Sequence, residues 1–182
     1  MSGAISLRPI SESDTENIVK WRNSDAVKKK LYTQTDLTHE QHRIWLRDKV
    51  DTGLCCQYII VETVNHNSSD IGTVFIKNID THNHKGEFGI FIGEECARGK
   101  GYATLATKEM VRIAFEKLSL NRVYLTVMSD NIAGINAYKK AGFVVEGLMK
   151  EDYLRSDGYV DIFMMGITKE IWDTKNENGY IN

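Results

Sequence analysis

Cysteine is scarce in this chain, and the three that occur are poorly placed for covalent or metal work. Cys55 and Cys56 are adjacent and Cys96 stands alone, so neither a disulfide framework nor a zinc-ligand spacing can be drawn from them. A reducing, cytoplasmic setting is the expectation. Long apolar runs are missing too. The opening MSGAISLRPI has no apolar centre of the kind a secretory signal carries, nothing approaches the roughly 20 apolar residues of a membrane span, and no membrane partner is expected. Nor is there an excess of charge of one sign. Lys and Arg total 23 against 25 Asp and Glu, a net charge of −2. That balance gives no general attraction to polyanions, so any grip on phosphate must come from a local cluster, and no nucleic-acid partner is expected. The five histidines include the pairs His39/His42 and His82/His84, but neither pair has a third ligand at a recognisable spacing, so no metal is expected.

What is present suits one compact domain. The 182 residues are 42% hydrophobic and 26% charged, with no internal repeat and no linker, so residues 1–182 read as a single domain whose polar end, about residues 174–182, is expected to fray. Residues 5–10 alternate like a short strand. A helix follows with Ser13 and Glu16 spaced as a capping box and Ile18, Val19 and Trp21 as its buried side. Thr38 with Gln41 marks a second helix start, before Ile44, Trp45 and Leu46. The period then changes. Residues 56–64, 71–79 and 87–93 are β-branched and aromatic runs separated by NHNSSD and DTHNHKG, which predicts three successive antiparallel strands. Helical spacing returns from Gly101 to about Lys117, with Leu105, Met110, Ile113 and Ala114 on one side. After it come a strand at RVYLTVM, a helix beginning near Asn131, and two strands joined by the SDG turn.

The segment ECARGKGYATLATKEM, residues 94–109, carries the most specific chemistry. A strand, a short loop and a helix beginning near Gly101 would expose first-turn amides and the positive end of a helix dipole, which hold phosphate oxygens well. Arg98 and Lys100 add charge, while Gly99 and Gly101 let backbone approach a ligand closely. A P-loop is excluded, because Gly101 stands where its hydroxyl residue belongs. A dinucleotide fingerprint is excluded by Thr104 at its third glycine and by the antiparallel strands in front.

RGKGYA, with Arg98, Gly101 and Ala103, resembles the R/Q-x-x-G-x-G/A pyrophosphate loop of the GNAT acetyltransferases. Downstream, NIAGINAYKKAGFVVEG is similar to that family's second element, with Asn131, Ile135, Tyr138, Lys140, Gly142 and Phe143 in place and Gly134 where a small Ala or Ser is usual. The resemblance spans essentially the whole chain. GFVVEG followed by GYVDIFMMGI resembles the branch of ribosomal-protein N-terminal and spermidine acetyltransferases. The N-terminal half is similar to the nucleotide-linked amino-sugar N-acetyltransferases of the pseudaminic acid pathway. The resemblance implies an α/β (α+β) GNAT fold: a mixed, mostly antiparallel sheet of about seven strands, splayed at the cofactor strand and flanked by about four helices, with Gly89 as a bulge that helps the splay.

It also implies the chemistry. Acetyl-CoA would be bound by backbone at Phe91, Ile92 and Gly93, by the loop Arg98, Gly99, Lys100, Gly101, Tyr102 and Ala103, and by Asn131, Asn136 and Lys139 or Lys140. Tyr138 matches the family's thiolate-protonating tyrosine; a phenol with a pKa near ~10 is reliably protonated at neutral pH. The base is either Glu87 or ordered water, because Thr126 stands where some relatives carry a glutamate. Trp21, Arg22, Asn23 and Tyr32, with Tyr153 and Asp161 on the last hairpin, are the acceptor candidates. The acceptor expected is a small-molecule primary amine, particularly a nucleotide-linked amino sugar, with a protein N-terminus, a polyamine or an aminoglycoside as alternatives. A homodimer is compatible with the resemblance, and a catalytically idle CoA sensor is the non-enzyme alternative.

Overall fold

The computed structural model describes residues 3–177. Seven strands form one sheet in the order β1-β2-β3-β4-β5-β7-β6: β1 (Ala4–Pro9), β2 (Cys56–Val64), β3 (Asn67–Asp80), β4 (Lys85–Ile92), β5 (Arg122–Met128), β6 (Val144–Arg155) and β7 (Gly158–Thr168). All neighbours are antiparallel except β4 and β5. The helices are α1 (Thr15–Asn23), α2 (Asp25–Lys28), α3 (His39–Trp45), α4 (Tyr102–Glu116), α5 (Ile132–Lys140) and α6 (Lys169–Glu177). Two exceed the four expected from sequence, the short α2 and the terminal α6. The latter runs into the segment expected to fray, whose remainder lies outside the described residues. None of the described helices is long and apolar enough to cross a membrane.

Alternation along β2 divides the core between two faces of the sheet. Ile60 joins the larger cluster with Met110, Ala114 and Phe115 of α4, Ile135 of α5 and Trp172 of α6. Its neighbour Ile59 joins Ile18 and Trp21 of α1 instead. Within α4, Leu105 is exposed, whereas Tyr102, Ala106 and Val111 are buried. Met110, Ile113 and Ala114 face the core as expected, so of the expected stripe only Leu105 falls outside it.

At the first helix the capping box is Ser11 with Asp14, not Ser13 with Glu16. Both pairs have the same spacing, and Arg8 decides between them by pairing with Asp14 and Asp70, each at 2.6 Å. The expected box of Thr38 and Gln41 is present, but Ile44 is exposed and His42 takes the buried place at 2% exposure. His42 Nδ1 lies 3.0 Å from Thr15 Oγ1, and its Nε2 has no partner among the described residues. Burial pushes its pKa below 6.5, outweighing the attraction of Asp14. The unfolded chain therefore takes up that proton first, and stability is lost as pH falls from 6.5 toward the lowered folded value. The urea midpoint is expected to drop between about pH 7.5 and about pH 5.5, and His42→Gln to reduce that drop.

Candidate active site

β4 and β5 pair only at Lys85–Arg122, Gly86–Val123 and Glu87–Tyr124. Beyond Glu87 they part, although the other edge of β4 stays paired with β3 as far as Ile92. The unpaired edge offers backbone donors and acceptors to which an extended ligand can add as a strand. Phe88, the first residue past the last pair, packs against Tyr138 and Phe143 with ring centroids 5.8 and 5.7 Å apart. This aromatic trio sits where the strands diverge. Gly89 is not a bulge, because the register break between β3 and β4 falls at Lys77/Asp80. A Cβ on Gly89 would lie 2.3 Å from the Phe75 ring, so the glycine makes room for that side chain.

Past Ile92, the amides of Gly93 and Glu94 both donate to the Ile71 carbonyl, at 2.8 and 3.1 Å. After a single 3-10 turn, Arg98 folds back and donates Nε to the Ile92 carbonyl at 3.2 Å and Nη2 to the Gly93 carbonyl at 3.0 Å. Gly99 and Gly101 have φ of 75° and 84°, which L side chains rarely adopt, and open space where a Cβ would stand. Gly101 caps α4, whose first turn holds no acidic residue. The amides of Tyr102 and Ala103 have no acceptor within the helix and project at its positive end. Free amides at a helix start whose first turn has no acidic residue suit phosphate oxygens.

Two side chains of this loop are held by the same carboxylate. Tyr102 is 1% exposed and its phenol donates to Glu62 Oε1 at 2.5 Å; Lys100 Nζ is 3.1 Å from the same oxygen. Tyr102 therefore has its amide to offer a ligand, and the Lys100 ammonium, its side chain 40% exposed, is shared with Glu62. Glu62 escaped the sequence reading. Its signal was a lone carboxylate in the β-branched run of β2.

Asn131 caps α5, its side-chain oxygen accepting from the Gly134 amide at 3.2 Å. A Cβ on Gly134 would stand 2.7 Å from the Asn131 Nδ2, so glycine leaves space for the capping amide. Asn136, Lys139 and Lys140 are exposed on the same helix. Tyr138 faces inward, edge-on to Phe88 and 6.2 Å from Phe143. Burial pushes its phenol up to about 12, which keeps it a neutral proton donor.

The acceptor side gathers around Tyr32. Burial raises its phenol, a hydrogen bond with Thr126 opposes, and Asp152, Glu87 and Tyr153 push it further up. Groups from β4, β5, β6 and the loop after α2 thus converge there. The Tyr153 hydroxyl donates to the Tyr32 carbonyl at 2.7 Å, and the two rings meet edge to face at 5.4 Å. Glu87 accepts from Lys77 Nζ at 3.0 Å and Asn78 Nδ2 at 2.9 Å.

Four acceptor candidates are engaged by neighbours within the fold. Trp21, 2% exposed, packs on Gly93, where a Cβ would meet its indole at 2.1 Å, and donates Nε1 to Glu94 at 2.7 Å. Arg22 Nη2 donates to the Thr33 carbonyl at 2.9 Å. Asn23 grips both the amide and the carbonyl of Leu37, at 2.8 and 2.9 Å. Asp161 pairs with Lys150 at 2.7 Å and accepts from the Glu151 amide at 2.8 Å. It thereby clamps a bulge in which residues 150–152 oppose a single residue of β7, and this bulge carries Asp152, which the sequence reading did not identify.

The chain matches the acetyltransferase (GNAT) domain family over residues 5–144. It is 25% identical over 181 residues to a spermidine N(1)-acetyltransferase of Vibrio cholerae, covering 97% of this chain and 100% of that one. It is 33% identical over 97 residues to an L-amino acid N-acetyltransferase of Escherichia coli, a match spanning 53% of this chain and 59% of that protein. Among solved structures, the Vibrio cholerae spermidine N-acetyltransferase in complex with CoA and spermine superposes with a TM-score of 0.85 at 21% identity, covering 92% and 97% of the two chains.

Proposed function

Because the chain belongs to the GNAT acetyltransferase family, an acyltransferase family that draws on acetyl-CoA, we propose that it acetylates a primary amine of a small, cationic acceptor of the polyamine class. The observation that carries this reading is the placement of two carboxylates at the acceptor end of the slot, where Glu87 and Asp152 both bear on Tyr32. Carboxylates and the exposed faces of Tyr32 and Tyr153 suit an alkylammonium chain, through ion pairing and cation–π contact. The full-length similarity to a spermidine N(1)-acetyltransferase points the same way.

Acetyl-CoA supplies an acyl group activated as a thioester. The free amides at the head of α4 and the open edge of β4 hold it in place, which is where most of the rate of a two-substrate transfer originates. Glu87, beside the point of divergence, takes the proton that the attacking amine sheds, directly or through water. Tyr138 Oη delivers a proton to the departing sulfur.

A nucleotide-linked amino sugar is the second reading. Arg22 favours it, since its Nη1 is buried without a partner among the described residues and burial lowers its pKa. Such a guanidinium would gain from a diphosphate oxygen. A thiol-release screen should offer spermidine, spermine, amino-sugar nucleotides, aminoglycosides and short peptides side by side. Polyamines are expected to give the highest kcat/KM. Turnover confined to amino-sugar nucleotides would replace the first reading with the second.

A further inference from the structure

We infer that Glu62 on β2 is a positioning residue for the coenzyme, tying down from below the loop that receives its phosphates. The inference rests on residues 98–103 being the pyrophosphate cradle. Within that loop Lys100 lies between two glycines at positive φ, and glycine backbone loses more freedom on ordering than any other. Left to itself, such a segment would present its amides in many directions. The loop has tethers at both ends. Arg98 fastens its start to the Ile92 and Gly93 carbonyls. Lys100 and Tyr102, on either side of Gly101, converge on one oxygen of Glu62, at 3.1 and 2.5 Å. The phenol is itself oriented, since Tyr102 Oη accepts from the Gly3 amide at 2.8 Å.

Glu62 is 8% exposed, a costly place for a carboxylate unless its lone pairs are used. Hydrogen bonds from Tyr102 and Lys100 use them and hold its pKa below the ordinary range. The same pairing cancels the charge of Lys100. Affinity for phosphate therefore depends on how well the amides are aligned, and that alignment is what Glu62 maintains.

The test is calorimetric titration of CoA into Glu62→Ala, Glu62→Gln and Tyr102→Phe, alongside steady-state kinetics. Glu62→Ala is expected to weaken CoA roughly ten-fold and raise the acetyl-CoA KM equally, with kcat and acceptor KM unmoved. Glu62→Gln, whose amide oxygen still accepts from Tyr102, should fall between parent and Ala, as should Tyr102→Phe. Adding Tyr102→Phe to Glu62→Ala should cost nothing more, since both break the same tether. Should the Ala variant fail to fold, the Gln and Phe variants carry the comparison. CoA affinity unchanged in the Glu62 variants, while Arg98→Ala weakens it, would show that Glu62 serves only stability and overturn the inference. If Arg98→Ala and Gly101→Val also leave affinity intact, the cradle itself is misassigned and the inference falls with it.

Discussion

Tyr138→Phe is expected to lower kcat by about two to four orders of magnitude with any authentic acceptor, the usual contribution of a positioned general acid, while CoA affinity stays as it was. Only the hydroxyl is removed. The ring keeps its edge-on contact with Phe88 and its packing against Phe143, so the loss would reflect proton delivery and not a collapsed core. The pH dependence follows from the same burial. With the phenol at about 12, Tyr138 remains protonated as pH rises through the working range, and its loss of a proton cannot shape an alkaline fall in kcat. Turnover of the parent should rise as the amine deprotonates and then level off, measured by thiol release at saturating acetyl-CoA. A Phe variant with parental kcat would remove Tyr138 from the proton-transfer role.

Gly101→Val should abolish CoA binding detectable by calorimetry. No neighbouring atom lies within 4 Å of a Cβ at this position, so crowding is not the reason. The obstacle is the backbone, which stands at φ 84°. A left-handed conformation costs an ordinary L residue roughly 1–2 kcal/mol, and a β-branched one more. Relief comes by swinging the peptide toward negative φ, which turns the cap and the amides of Tyr102 and Ala103 away from their common focus. Gly101→Ala should show the same defect in milder form. Because α4 is anchored by Met110, Val111 and Ala114, all with no exposed surface, the melting temperature should fall only modestly. Parental affinity in the Val variant would mean that the phosphates are held elsewhere.

Local rules carried the sequence a long way. β2 and β5 begin and end where the β-branched runs do, because each strand is bounded by a change of composition. The glycine loop, the α4 start and the Asn131 cap were legible for the same reason: backbone geometry there demands particular residues. Where two local patterns competed, a distant partner decided. Ser13/Glu16 and Ser11/Asp14 have identical spacing, and Arg8 selects the second. NHNSSD looked like a broad turn, yet only Asn65 and His66, at φ 49° and 66°, make it. Residues 67–70 continue as strand beside residues 61–64, polar because that ribbon extends beyond the core.

The acceptor side was less legible. Trp21, Arg22 and Asn23 have the right chemistry for ligand contacts, but loop carbonyls, an amide and Glu94 claim them first. Glu62 meets Lys100 and Tyr102 across 38 and 40 residues of chain. Asp152 reaches the slot through a bulge. Neither relation has a sequence spacing that reveals it.

Three consecutive side chains of α1 link the end of β4 to the segment that carries Tyr32. Trp21 presses on Gly93 just past the end of β4, while Arg22 and Asn23 hold the segment that follows Tyr32. Retargeting this enzyme by transplanting residues 31–38 alone would therefore separate the graft from its own foundations. An exchange that preserves donor use must carry α1 along with the loop and keep a glycine at 93 to seat the indole.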